Sequence, residues 1–368
     1  MIKQRIELVQ QKLARENKPS AFIIISEFNR RYMTNIKTSS GYVIITPQNG
    51  YFFTDFRYIE FAKKSLGDYY AVELYPKENY NELLKKENIK NILVEENYIS
   101  LKTKKRFDEL FCDFALAESD GLIEDMRKTK DSSEIENIRQ AQNITDKTFG
   151  HILKLISQNI NTITEADIAV EIEYFMKKNG AEAVAFDTIS VSGKKSSYPH
   201  GEPENIKLSK GFLTMDFGAK YRGYCSDMTR TICIGKPSAK MLEVYQTVKS
   251  AQAVALNMIK AGIKAIEIDR AAREIIKKAG YEKNFGHGLG HSLGLEIHEA
   301  PGFPKSNEEE KKDKEEKEEI VLSENLVITV EPGIYIEDEF GVRIEDFVVV
   351  TKEGCENLTK SDKELICI

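Results

Sequence analysis

MDFGAKYRGYCSDMTR, residues Met215 to Arg230, sets two aspartates, Asp216 and Asp227, on either side of a tight-turn signal, Lys220-Tyr221-Arg222-Gly223. A chain reversal between Tyr221 and Arg222, with Gly223 in the left-handed conformation, predicts an antiparallel hairpin with Asp216 opposite Asp227 and their Cβ atoms roughly 5 Å apart. Two carboxylates held that close repel, and a cation between them removes the penalty. The hairpin is therefore a candidate metal site. On these residues alone a surface hairpin with two solvated aspartates is the better account, and only the downstream sequence shifts the balance.

Downstream, the chemistry-bearing residues cluster between His200 and Glu345. His287-Gly288-Leu289-Gly290-His291 places two histidines in a glycine-rich stretch, where backbone can approach a ligand closely. His298 follows a strand-like Leu295-Glu296-Ile297. Glu331 ends an apolar strand, Leu326 to Val330, and the next residue, Pro332, holds it extended. Arg343 and Glu345 are two apart in an expected strand from Gly341 to Val350 and so share a face. Asp216, Asp227, Glu331 and Glu345 with the imidazole of His291 form an oxygen-rich set with one nitrogen. Such a set suits hard or borderline divalent cations, and four carboxylates exceed what one ion needs, so two bridged ions are expected. His151 reads as a structural residue on an ordinary helix face.

The surrounding chain reads as two domains, as its 368 residues suggest. Residues 1–122 alternate short apolar runs, Ala21–Ile25, Tyr42–Thr46, Tyr51–Thr54, Tyr70–Leu74 and Asn91–Val94, with polar helical stretches, the pattern of an α/β domain with a mixed sheet. Residues 123–368 read as α+β, with a boundary in the stretch Asp120 to Lys130. Helices are expected after a capping box at Asp131 and Glu134, over Thr164–Lys178, over Ser238–Lys260, and over Glu267–Ala279. The charge run SNEEEKKDKEEKEE, Ser306 to Glu319, lacks apolar anchors and reads as a solvated insertion spanning 305–320.

Bulk properties narrow the function classes. A net charge of −6 gives no reason to expect nucleic acid as a partner. No apolar run approaches the roughly 20 residues that span a bilayer, so no membrane is expected. The start, MIKQRIELVQQKL, reads as an amphipathic helix without the features of a signal peptide. Five cysteines, odd in number and without metal-ligand spacing, point to reduced thiols and a cytoplasmic protein.

The order Asp216, Asp227, His291, Glu331, Glu345 within MDFG, CSDMTR, HGLGHSLG, VEPGIY and VRIED resembles the pita-bread metallopeptidases, the creatinase/aminopeptidase fold of methionine aminopeptidase, aminopeptidase P and prolidase. Pro199-His200-Gly201, His298-Glu299-Ala300-Pro301, Arg343 and the N-terminal FTDFRY resemble the proline-specific branch, and the likeness covers nearly the whole chain. The resemblance implies Asp216 and Asp227 on one metal, His291 and Glu331 on a second, and Asp227 and Glu345 bridging. It implies His200 and His298 at the substrate, with His287 and Arg343 in support. The expected activity is release of the N-terminal residue from peptides with proline in second position. Xaa-Pro dipeptidase activity and a non-catalytic peptide-binding module are the alternatives. Manganese is the expected metal, with cobalt or zinc as substitutes, and the family suggests a homodimer. The acidic insertion departs from the family pattern and bears on the rim of the site.

Overall fold

The computed structural model describes residues 1–75, 80–303 and 319–368; almost all of the charge run lies outside the described residues. The chain divides into two compact units, Met1–Arg127 and Lys128–Ile368.

The first unit is a six-stranded mixed sheet. In spatial order its strands are Ala71–Leu74, Gly50–Thr54, Tyr42–Ile45, Ser20–Ile24, Asn91–Val94 and Ala115–Glu118. Ser20–Ile24 pairs parallel with Asn91–Val94 and antiparallel with Tyr42–Ile45. Buried Ile23, Ile44, Phe53, Leu84, Ile92 and Phe107 fill one core between sheet and helices. The edge strand Ala115–Glu118 is mostly exposed, so no apolar run announces it in the sequence. The FTDFRY segment ends the strand Gly50–Thr54: the Asp55 carboxylate accepts from the backbone N–H of Arg57 at 2.9 Å and pairs with its guanidinium at 2.8 Å. Phe56 is exposed.

The second unit contains two helix pairs, Ser132–Asn159 with Glu165–Lys178 and Ala239–Met258 with Ala265–Lys278. Local chemistry starts and stops them. Asp131 accepts from the N–H groups of Ser133 and Glu134, and the Asp131 N–H donates to the Glu134 carboxylate, completing the capping box. Thr164 and Ser238 cap the next two starts. The first pair packs Ile152, Ile168 and Ile172 against Met215 and Ile232. The second packs Val244, Val248, Ile268 and Ala272 against Ile328, Ile334 and Val348. Each helix pair thus backs a set of strands that carries two of the candidate carboxylates.

The first carboxylate-bearing hairpin departs from the sequence expectation. Its reversal centres on Arg222 and Gly223, both with positive φ (47° and 90°), the backbone of a type I′ turn. Gly211–Asp216 pairs with Thr229–Ile234 so that Asp216 faces Thr229, not Asp227. The register is displaced by two residues, which keeps both aspartates on one face but diagonal to each other. Two further expectations are revised. Leu295–Ile297 is a bend, not a strand, and the strand expected over Gly341–Val350 is two strands, Phe340–Arg343 and Asp346–Val350.

Candidate active site

All nine candidate residues, Asp216, Asp227, Glu331, Glu345, His200, His287, His291, His298 and Arg343, line one cavity of about 480 Å³ in the second unit. Its walls come from separate elements. Asp216 ends a strand, Asp227 follows the type I′ hairpin, and His291 opens the short strand His291–Ser292. Gly290 is required at that point. A Cβ there would lie 2.2 Å from the Thr329 carbonyl oxygen, so only glycine lets the strand carrying His291 approach the strand carrying Glu331.

Hydrogen bonds fix how each group faces the cavity. His291 Nδ1 contacts the Ser292 carbonyl oxygen at 3.1 Å, which assigns the proton to Nδ1 and leaves a lone pair on Nε2. That Nε2 lies 3.5 Å from Asp227 Oδ2 and 3.6 Å from Glu331 Oε1. Asp227, His291 and Glu345 each offer a ligand atom within 4.8 Å of the others. Thr229 Oγ1 donates to Glu345 Oε2 at 2.6 Å. Asp216 Oδ2 accepts from Arg343 Nη2 at 2.6 Å, while its Oδ1 is buried without a partner among the described residues. His298 sits on a turn held by Glu299, whose carboxylate accepts from the Glu296 N–H and pairs at 3.1 Å with the buried ammonium of Lys130.

The carboxylates do not accommodate their charges unaided. Burial, then Asp216 and Glu331, pushes Asp227 well above the usual carboxylate range. Burial, then Asp227, does the same to Glu345. Burial pushes Glu331 up to about 8 against the opposing pull of Arg343. His287 and His291 are both driven down to about 4 by burial, so they present neutral rings. Partial burial against the cavity wall and the neighbouring His200 also lower His298. Arg343 is the sole Lys or Arg among the described residues that line the cavity. Four ionised carboxylates beside one guanidinium leave an excess of negative charge. The unpartnered Asp216 oxygen, the free Nε2 of His291 and the oxygen-rich donor set therefore fit divalent cations.

A pH effect follows, with its sign set by these shifts. For Glu331, whose folded pKa of about 8 lies above its ordinary 4.5, the stability contribution is complete below 4.5 and lost as pH rises through 8. For His287 and His291, depressed to about 4, the contribution is complete above 6.5 and lost as pH falls through 4. Of these cavity groups, only the carboxylates act above pH 6.5. Between pH 6.5 and 8 the metal-free protein is expected to lose on the order of 2 kcal/mol from Glu331 alone. Added Mn2+ should abolish that loss. Urea unfolding at both pH values, with and without the ion, measures it; a flat metal-free profile would contradict the charge arrangement.

Two residues that contact the candidate set were not singled out in the sequence, although both lie inside its motifs, Tyr335 in VEPGIY and Thr229 in CSDMTR. Tyr335 receives a 2.8 Å bond from Arg343 Nη1 and lies 3.1 Å from His287 Nε2, linking the guanidinium to that ring. Thr229 joins Arg343 Nε to Glu345. Four of the five Arg343 N–H groups are spent, on Thr229, Pro199, Tyr335 and Asp216, so Arg343 holds Asp216 and keeps one Nη2 N–H, which is less than the two-pronged face a substrate carboxylate takes. His151 is remote: it stacks on Phe175 with centroids 4.0 Å apart and contacts Glu171 at 2.7 Å.

Helix pairs backing carboxylate-bearing strands around a cation-fitted cavity, joined to an N-terminal α/β unit, define a two-domain metallohydrolase of pita-bread fold. The chain belongs to metallopeptidase family M24, whose model matches residues 136–352, and the Creatinase/Prolidase N-terminal domain matches residues 5–129. It is similar to the Xaa-Pro dipeptidase of Pyrococcus horikoshii, 37% identical over 357 residues that cover 95% of each chain. Among solved structures it resembles the Xaa-Pro dipeptidase from Bacillus anthracis, with TM-score 0.91 and 37% identity over 100% of both chains. It also resembles the X-Pro aminopeptidase from Thermotoga maritima, with TM-score 0.85 and 36% identity over 95% of this chain and 98% of that one. Membership of the family implies divalent metal ions in the cavity. Among the described residues, no helix is long and apolar enough to cross a membrane.

Proposed function

We propose that the chain is an Xaa-Pro dipeptidase that uses two divalent ions, manganese first among them. The observation that carries the hydrolytic reading is the set of four largely buried carboxylates facing the unprotonated Nε2 of His291. Asp216, Asp227, His291, Glu331 and Glu345 would hold the ions, which when bound supply Lewis acidity and lower the pKa of a water ligand toward about 7.

The chain's own residues do the rest. Glu331 accepts the proton of the attacking water on a carboxylate oxygen and delivers it to the departing proline nitrogen, as the peptide C–N bond breaks and the water oxygen joins the carbonyl carbon. His200 and His298, both exposed at the cavity, hydrogen-bond the carbonyl oxygen as negative charge develops, a contribution of about 2.7–4 kcal/mol for a typical oxyanion donor. A proline nitrogen in a peptide bond carries no N–H, so selection rests on shape. Phe186, Ile189, Ile297 and Phe303 supply an apolar wall for the ring.

Dipeptide preference rests on the names of the relatives from Pyrococcus horikoshii and Bacillus anthracis. Aminopeptidase activity, the first expectation from the sequence, remains as a second reading for a specific reason. A dipeptidase must receive a free carboxylate next to the proline, and Arg343 is committed to Asp216. The likeness to the Thermotoga maritima X-Pro aminopeptidase points the same way. Parallel assays of Ala-Pro and Ala-Pro-Ala with Mn2+-loaded protein separate the two. Turnover of the dipeptide at least about tenfold faster is the expected result; turnover confined to the tripeptide would establish the aminopeptidase. Hydrolysis of neither would remove the Xaa-Pro reading.

A further inference from the structure

Glu331 and Glu345 sit in a gap in a β-ladder. Val327–Val330 pairs antiparallel with Asp346–Val350 as far as Val330 opposite Asp346, and pairing resumes between Gly333–Ile336 and Phe340–Arg343 with Gly333 opposite Arg343. The register is the same on both sides of the gap, which sets Glu331 opposite Glu345 and Pro332 opposite Ile344. Cross-strand backbone bonding is reduced here to one long contact, from the Ile344 N–H to the Pro332 carbonyl at 3.5 Å. Pro332 has no N–H, the Glu331 N–H turns away to the Leu289 carbonyl at 2.8 Å, and the Glu345 N–H turns to the Thr229 carbonyl at 3.1 Å. The carbonyls that immediately precede the two glutamates, those of Val330 and Ile344, are taken by one side chain. Gln252 Nε2 donates to both, at 3.1 Å each.

Gln252 lies on the helix Ala239–Met258 and is fully buried in an otherwise apolar core, between Val248 and Ala255 in sequence. Its Oε1 has no partner among the described residues. An amide at that depth costs roughly 1–3 kcal/mol wherever it leaves a polar atom unmet, and an apolar residue of similar volume would avoid that cost. Both of its N–H bonds end one residue before a candidate ligand.

We propose that Gln252 is a positioning residue for the metal centre: by tying the Val330 and Ile344 carbonyls together it fixes the separation and aim of the Glu331 and Glu345 carboxylates. The proposal rests on the reading of those two glutamates as metal ligands. Helix Ala239–Met258 thereby acts on the centre without touching it, through the two backbone strands, as outer partners of metal ligands do elsewhere.

The test uses the full chain stripped of metal by chelation and titrated with Mn2+ by calorimetry, alongside thermal unfolding of the metal-free form. Gln252→Met keeps the volume and removes both donors; Gln252→Asn keeps the amide but is one methylene too short to reach both carbonyls. Both variants are expected to bind Mn2+ about tenfold or more weakly than the native chain. Val248→Ala, one helical turn away and equally buried, is the control: it should lower the unfolding temperature and leave Mn2+ affinity unchanged. Native affinity in Gln252→Met, or an equal loss in Val248→Ala, would overturn the positioning role. Failure of the native chain itself to bind Mn2+ would instead remove the metal reading on which the proposal stands.

Discussion

Glu331→Gln is expected to lower kcat/KM on Ala-Pro by 10²–10⁴-fold, the range for loss of a general acid–base group. The substitution keeps the side-chain volume, so the cavity walls stay in place. It removes the carboxylate proposed to exchange a proton with substrate, at a site where burial has already moved its pKa to about 8. The same change should stabilise the metal-free protein at and above pH 8. Ionised Glu331 there adds a charge to a cluster where burial and neighbouring carboxylates, Asp216 and Glu331 at Asp227, and Asp227 and Glu331 at Glu345, already hold both groups far above the ordinary carboxylate range. Loss of turnover together with a gain in metal-free stability is a combination that simple misfolding cannot produce. Kinetics and urea unfolding on one preparation measure both; retained activity would remove Glu331 from the reaction.

Arg343→Met should destabilise the metal-free protein by about 3–5 kcal/mol, the cost of breaking a buried ion pair from one side. Arg343 is 3% exposed and makes four hydrogen bonds. Without it, Asp216 has no partner on either oxygen, since Oδ1 already has none among the described residues. The described residues lining the cavity would then include no Lys or Arg to set against four carboxylates. Methionine keeps most of the apolar stem, which makes the deficit electrostatic. Mn2+ should restore part of the loss, because an added cation offsets the same charges. A change below about 1 kcal/mol in urea unfolding would show that the guanidinium is not needed to hold the carboxylates together.

The sequence by itself determined which residue types carry the chemistry and where the helices begin. Asp131 with Glu134, Thr164 and Ser238 are caps whose partners lie within three residues, so their signal is local and survives in the sequence. The five candidate ligands were legible for a related reason: carboxylates and histidines at strand ends and beside glycines are chemically conspicuous in an otherwise apolar pattern. Tertiary structure decided how they meet. The turn at Arg222-Gly223 needs positive φ at two successive residues, a requirement that composition shows only at the glycine, so the reversal and the register of Asp216 against Thr229 had to be read from the fold. The hydrogen bond from Arg343 to Asp216 spans 127 residues, and those from Gln252 to Val330 and Ile344 span 78 and 92. An arginine's spacing cannot tell whether its donors are free or spent, and a glutamine on an apolar helix face looks like an error in the pattern. Both acquire meaning only when packing brings distant backbone within 3.5 Å, because hydrogen bonding is a short-range interaction whose partners the chain order does not encode.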